Sequence, residues 1–220
     1  MNYLAHGFRF LHEPYFVAGT SLPDWLNVAD RRTRCRRRHA SKFVTDPDPR
    51  VAAFARGVVQ HHQDDDWFHL TDAFAELSLR FAMDLRDHCP RQNSVRTGFV
   101  GHILVELLID AALIRRRPQI LDGFYDAVGQ VDPSLIATSV NAMTGREVPQ
   151  LRELIPRFVE VRFLADYTTD ARLLYRLNQV LQRVRLTNLT ESVLPLFAAA
   201  RTAVDERLGE WFEEFSPSGI

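Results

Sequence analysis

Gly98-Phe99-Val100-Gly101-His102-Ile103-Leu104-Val105-Glu106-Leu107-Leu108-Ile109-Asp110-Ala111-Ala112-Leu113-Ile114 carries only three strongly polar side chains, His102, Glu106 and Asp110. They recur every fourth residue, so a helix sets them in one stripe along an otherwise apolar cylinder. A helix that is hydrophobic all round is a buried helix. An imidazole and two carboxylates inside it cost several kcal/mol each, roughly, unless something pairs with them, and a metal ion can pair with all three. A second stripe with the same spacing stands upstream in Gly57-Val58-Val59-Gln60-His61-His62-Gln63-Asp64-Asp65-Asp66-Trp67-Phe68-His69. There His61, Asp65 and His69 share one face with Phe54, Val58 and Phe68. Two helices carrying His-x-x-x-carboxylate read as two walls of one site.

Outward from these stripes the pattern stays helical. Period-3.6 segments dominate and alternating runs bounded by turn residues are nearly absent, which predicts an all-α helical bundle with a buried metal site. With 220 residues, 46% of them hydrophobic, the chain suffices for one sizeable core and reads as a single domain, 1–220. An irregular N-terminal stretch is expected up to Leu22-Pro23-Asp24-Trp25, then a short helix to the arginine cluster. Asp46-Pro47-Asp48-Pro49 reads as a rigid connector that launches a helix from Arg50 to about His62. A helical stretch over 70–88 follows, with Cys89-Pro90 as its stop. Ser94 is the expected N-cap of the His102 helix, and Arg115-Arg116-Arg117 before Pro118 marks its end. Further helices are expected near 118–130, 133–144, 149–167, 170–186 and 190–215, with Pro156 and Pro195 bending or trimming theirs.

A formal net charge of −1 gives no global field that would draw the protein to nucleic acid or to an anionic membrane. Cys35 and Cys89 are too few for a disulfide framework, and no signal-peptide pattern opens the chain, so a soluble cytoplasmic protein is expected. The apolar run around residue 105 is interrupted by its own charges and is short for a bilayer span.

Imidazole and carboxylate donors suit zinc, manganese or iron, and neither cysteine lies near the stripes to offer thiolate. Two N-terminal residues are candidates to complete the ligand set. His6 precedes any obvious helix, and Asp24 follows Gly19, which permits close backbone approach, and Pro23, which would fix a turn aiming the carboxylate. The plainer alternatives are that Asp64, Asp65 and Asp66 face water, that His102 is a satisfied core histidine and that Asp24 is an N-cap. These leave Glu106 and Asp110 unexplained inside the apolar helix.

Met1-Asn2-Tyr3-Leu4-Ala5-His6, then Ala18-Gly19-x-x-Leu22-x-Asp24, then Gly57-x-x-x-His61-x-x-x-Asp65 resembles the acyl-carrier-protein phosphodiesterase family, all-α metal-dependent hydrolases related to the HD-type phosphohydrolases. His102 falls where that family has its next histidine. Leu177-Asn178 through Arg183 and Trp211-Phe212-Glu213-Glu214-Phe215-Ser216-Pro217 are similar to its later segments. The chain departs from the family in two places. Gly101 stands where the family usually has Asp, and His62-Gln63 replace a basic pair. Asp24, His61-x-x-x-Asp65-x-x-x-His69 and His102-x-x-x-Glu106 also look like the metal motifs of the zinc phospholipase C and P1 nuclease group. Both resemblances imply phosphodiester hydrolysis, and the first implies release of 4'-phosphopantetheine from an acyl carrier protein.

The expected roles follow. His61, Asp65, His102 and Asp24 ligate one or more divalent ions, His6, His69 and Glu106 join them, and Asp110 orients a ligand from behind. Water attacks phosphorus without a covalent enzyme intermediate, with Asp65, His61 and His102 at the catalytic centre. In Arg31-Arg32-Thr33-Arg34-Cys35-Arg36-Arg37-Arg38, Arg34 and Arg37 are candidates to receive the substrate's anion or an acidic carrier protein, against a solvated loop as the alternative. The cluster has no interleaved aromatics, which argues against nucleic acid. The rivals are a di-iron redox protein, whose usual Glu-x-x-His spacing is absent here, and a non-catalytic helical binding protein with a structural metal or hydrogen-bonded network.

Overall fold

Every regular element of the computed structural model, which describes residues 1–88 and 94–215, is helical. In chain order they are α1 (Tyr3–Gly7), α2 (Pro14–Ala29), α3 (Arg37–Ala40), α4 (Pro49–Phe68), α5 (Asp72–His88), α6 (Ser94–Arg116), α7 (Gln119–Gly129), α8 (Pro133–Thr144), α9 (Leu151–Val161), α10 (Asp170–Arg183) and α11 (Leu194–Trp211), with short 3-10 turns between some of them. Local chemistry starts and stops them as the sequence predicts in several places. Asp46 Oδ1 accepts the Asp48 N–H and Asp48 Oδ1 accepts the Arg50 N–H, each at 2.9 Å, so the Asp-Pro-Asp-Pro connector caps α4. Asp132 caps α8 through the Ser134 N–H at 2.8 Å, and Gly145 ends that helix with φ of 70°.

The N-terminal expectation needs correction. Residues 3–7 and 14–29 are already helical, and Pro23 lies inside α2 rather than at a turn. Asp24 is therefore a mid-helix residue, neither an N-cap nor a carboxylate aimed by a bend. The Thr20 and Ser21 hydroxyls both donate to the Val17 carbonyl at 2.9 Å, so these buried polar groups are satisfied within α2 itself. The helix expected over 149–167 breaks at Arg162, whose φ of 48° ends α9 before a 3-10 turn. The stop at Cys89-Pro90 lies outside the described residues. So does the Ser94 side chain, although α6 begins at that residue.

The chain forms two compact units, each discontinuous in sequence: residues 1–66 with 118–163, and residues 67–117 with 164–220. In the first, α2 packs on α1, α7 and α9. Its aromatic core centres on Phe158, whose ring lies 5.0 Å from Tyr3, 5.6 Å from Trp25 and 5.4 Å from Tyr125. The residues that place α4 against α2 are glycines. A Cβ on Gly19 would stand 2.1 Å from the Phe54 carbonyl oxygen, and one on Gly57 would stand 2.1 Å from the Phe16 carbonyl oxygen. The two backbones thus touch where no other residue fits.

In the second unit α5 and α6 pack along one another and α11 covers both. Again a glycine sets the approach: a Cβ on Gly101 would meet the Ser78 carbonyl oxygen at 2.4 Å. In the same unit Phe68 packs on both Phe74 and Trp211, and the Trp211 indole donates to Thr71 Oγ1 at 3.0 Å. Asn178 holds the Leu189 backbone at both its N–H (2.8 Å) and its C=O (3.0 Å), a fold-bracing role for that segment. The stretch Arg96–Arg116 is long and apolar enough to cross a membrane, yet 72% of its most apolar window is buried within the protein, as in a core helix.

Candidate metal centre

The close crossing of α2 and α4 decides the first site. It brings His61, one turn beyond Gly57, against the Thr20 carbonyl, to which its Nδ1 hydrogen-bonds at 2.8 Å. A carbonyl oxygen only accepts, so the Nδ1 of His61 carries the proton. In the neutral ring, Nε2 is then a bare lone pair. That lone pair faces Asp65 Oδ2 at 3.3 Å, one turn further along α4.

His6 on α1 repeats the arrangement. Its Nδ1 lies 3.0 Å from Asp64 Oδ2, and Gln60 donates to the other oxygen of Asp64 at 2.6 Å. A carboxylate also only accepts, so His6 too is protonated at Nδ1 and presents a lone pair at Nε2. His6 is 2% exposed, and its Nε2 makes no hydrogen bond although it stands 3.3 Å from Asp65 Oδ1. The His6 and His61 rings stack with centroids 4.1 Å apart. Burial raises the Asp65 carboxyl, but its interactions with His6, with His61 and with the N-terminal ammonium hold it well below the usual carboxylate range. That ammonium donates to Asp65 Oδ1 at 2.7 Å.

Two imidazole lone pairs aimed at one carboxylate, with each far ring nitrogen anchored on an acceptor, fit a cation. Protein zinc ligands behave this way, their other ring nitrogen donating to a carbonyl or carboxylate. The two nitrogen–oxygen separations, each to a different oxygen of Asp65, are both 3.3 Å.

The second unit holds another group, His69, His102 and Glu106. His69 stands in the turn just past α4, whereas His102 and Glu106 lie one turn apart on α6. Both Nε2 atoms point to the same oxygen, Glu106 Oε1, at 3.1 and 3.2 Å. The rings are 4.8 Å apart and each packs on Phe74 at 4.8 Å. Neither Nδ1 bonds to another protein group among the described residues, and the His69 and His102 side chains are 34% and 39% exposed. Both rings are thus free to carry the proton on Nε2 and donate it to Glu106. For Glu106, burial opposes the charge while His102 and His69 favour it, and its carboxyl sits below the ordinary range.

The sequence-predicted residues therefore sort into two groups, each with two imidazoles and one carboxylate. The stripe His61-Asp65-His69 divides, because α4 ends at Phe68 and His69 leaves its face. Asp24, half-buried on α2, and Asp110, fully buried on α6, belong to neither set of converging ligand atoms. Asp64 and Gln60 are the residues the sequence reading missed. From sequence Asp64 reads only as a solvated acid, and its one signal is its place beside Asp65.

Arg34 and Arg37 are exposed and make no ion pair among the described residues. Their loop is tied to α4 by His62, whose Nε2 donates to the Cys35 carbonyl at 2.9 Å; burial keeps His62 below the ordinary imidazole range and hence a neutral donor. Cys35 itself is buried, with Sγ 3.9 Å from the Met143 sulfur, and burial pushes its thiol up to about 12. No family model, no curated protein and no solved structure matches the chain, so the chemistry of its own residues carries the functional reading.

Proposed function

We propose that this protein is a metal-dependent phosphohydrolase that cleaves a phosphodiester, with His6, His61 and Asp65 as the ligands of its divalent cation. The observation that carries the reading is the buried His6 Nε2, left without a hydrogen bond while its Nδ1 is fixed on Asp64. Such an atom is costly unless a donor or a cation meets it, and a cation is the partner that also suits the neighbouring His61 nitrogen and Asp65. Three protein ligands leave a position open, the arrangement of catalytic rather than structural sites. A cation there supplies Lewis acidity toward phosphoryl oxygens and an activated water. The chain's own residues hold the two lone pairs in place, keep the carboxylate ionised and exclude bulk water from His6 and His61. His69, His102 and Glu106 offer a second donor set of the same composition.

The resemblance read from the sequence favours a 4'-phosphopantetheine-bearing acyl carrier protein as the substrate, and the unpaired Arg34 and Arg37 suit such an acidic partner. A di-iron redox role is less favoured, because each group brings one carboxylate where such bundles use several.

Total metal analysis of the purified protein and turnover of bis(p-nitrophenyl) phosphate test the reading together. Bound zinc, manganese or iron is expected, with turnover lost on chelation and restored by the ion. His61→Ala and Asp65→Ala should lose both. A His61→Ala protein with its full metal content would reject the assignment, and metal without turnover would favour the structural-metal binding protein.

A further inference from the structure

We infer that Asp64, braced by Gln60, is a positioning residue that fixes which nitrogen of His6 is free to bind a cation. The inference rests on the cation reading of the His6 site and names how that site is kept ready.

Neutral histidine has two tautomers of similar energy, and only the one protonated at Nδ1 leaves Nε2 able to ligate. The ring of His61 has this choice made by a main-chain carbonyl, which no substitution at that position can remove. His6 has it made by a side chain, Asp64 Oδ2 at 3.0 Å. Asp64 lies one residue before Asp65 on α4, about 100° around the helix, so it approaches His6 from a different side than the ligand carboxylate does. Gln60, one turn earlier, donates to Asp64 Oδ1 at 2.6 Å and leaves Oδ2 for the imidazole. The line Gln60–Asp64–His6 therefore ends at the orphan nitrogen. Without it, the other tautomer would donate Nε2–H to Asp65 and close the site with a proton. Neighbouring Asp66 is exposed and has no part in this line.

Two measurements on the full chain test this. In metal-free protein labelled with 15N-histidine, long-range proton–nitrogen spectra should show His6 protonated at Nδ1. Asp64→Ala should shift it toward the Nε2–H form, while Asp64→Asn, whose amide oxygen can still accept, should retain the native tautomer. Zinc affinity, measured against a chromophoric chelator, should fall on the order of 10–100-fold in Asp64→Ala, by a smaller factor in Gln60→Ala, and within a few-fold in Asp64→Asn and Asp66→Ala. Unchanged tautomer and affinity in Asp64→Ala would overturn the inference, as would an Asp64→Asn protein that weakens as much as Asp64→Ala. A native Nδ1–H tautomer that depends on Asp64, in a protein that takes up no zinc, would support the positioning and refute the cation reading.

Discussion

The His6–His61–Asp65 group and the His69–His102–Glu106 group have the same composition and nearly the same distances, yet they differ in what stands behind the rings. Behind the first pair are a backbone carbonyl and a carboxylate, and these acceptors remove the rings' freedom to donate inward. Behind the second pair no protein acceptor is found among the described residues, so two protons satisfy Glu106 as well as a cation would. Three ligand-type residues in proximity are thus a weak signal, and the fixed tautomer is the stronger one.

The largest expected effect comes from the glycine that sets the first group. Gly57→Ala places a methyl 2.1 Å from a main-chain oxygen that cannot swing aside. It should cost more than about 3 kcal/mol, or about 6–12 °C in a melt for a chain of this size, and cation binding should go with it. Gly98→Ala, with open space around it on α6, should be neutral or stabilising by up to about 1 kcal/mol. If the two alanines melt alike, the close crossing is not what holds His61 in place.

Next in size is the contrast between histidines. His61→Ala should abolish tight cation binding, whereas His102→Ala should leave the high-affinity equivalent intact. Equal losses from both variants, read by metal analysis after dialysis, would erase the distinction drawn here. A smaller effect is expected from Glu106→Gln, whose amide oxygen still accepts from two imidazoles: about 1 kcal/mol of stability and no loss of the tight ion. Release of that ion by Glu106→Gln would show the second group to be the stronger cation site.

The smallest effect concerns the loop tied to α4 at His62. Because burial raises the Cys35 thiol to about 12, the folded protein keeps its proton where an unfolded chain, with an ordinary thiol near 8.5, has lost it. Stability from this group is therefore complete below about pH 8.5 and declines as the pH rises toward 12. Iodoacetamide at pH 8.5 should label Cys35 only after unfolding, as read by mass spectrometry. Rapid labelling of the native protein would place the arginine loop away from α4.

Much of this was legible before any coordinates. The fourfold spacing in His61-Asp65 and His102-Glu106 is a local property of helices, and both pairs meet as the spacing predicts. Gly19 read correctly as a point of close backbone approach, and the Asp-Pro-Asp-Pro connector read correctly as a helix start. What failed was non-local. Pro23 suggested a turn, but the packing of α2 on three neighbouring helices outweighs the one backbone bond a proline removes. His69 looked like a third step on the α4 stripe because sequence does not mark the helix end at Phe68. Asp64 and Gln60 gave no sign of their role, since that depends on a ring delivered by α1, and the carbonyl of Thr20 has no sequence signature at all.

Gly101 has a consequence for sequence change over time. No side chain enters there in one step, because a Cβ would meet the Ser78 carbonyl oxygen at 2.4 Å and the Ala82 nitrogen at 3.0 Å. Any residue larger than glycine at this position has to be preceded by a shift of the Ser78–Ala82 backbone on the facing helix.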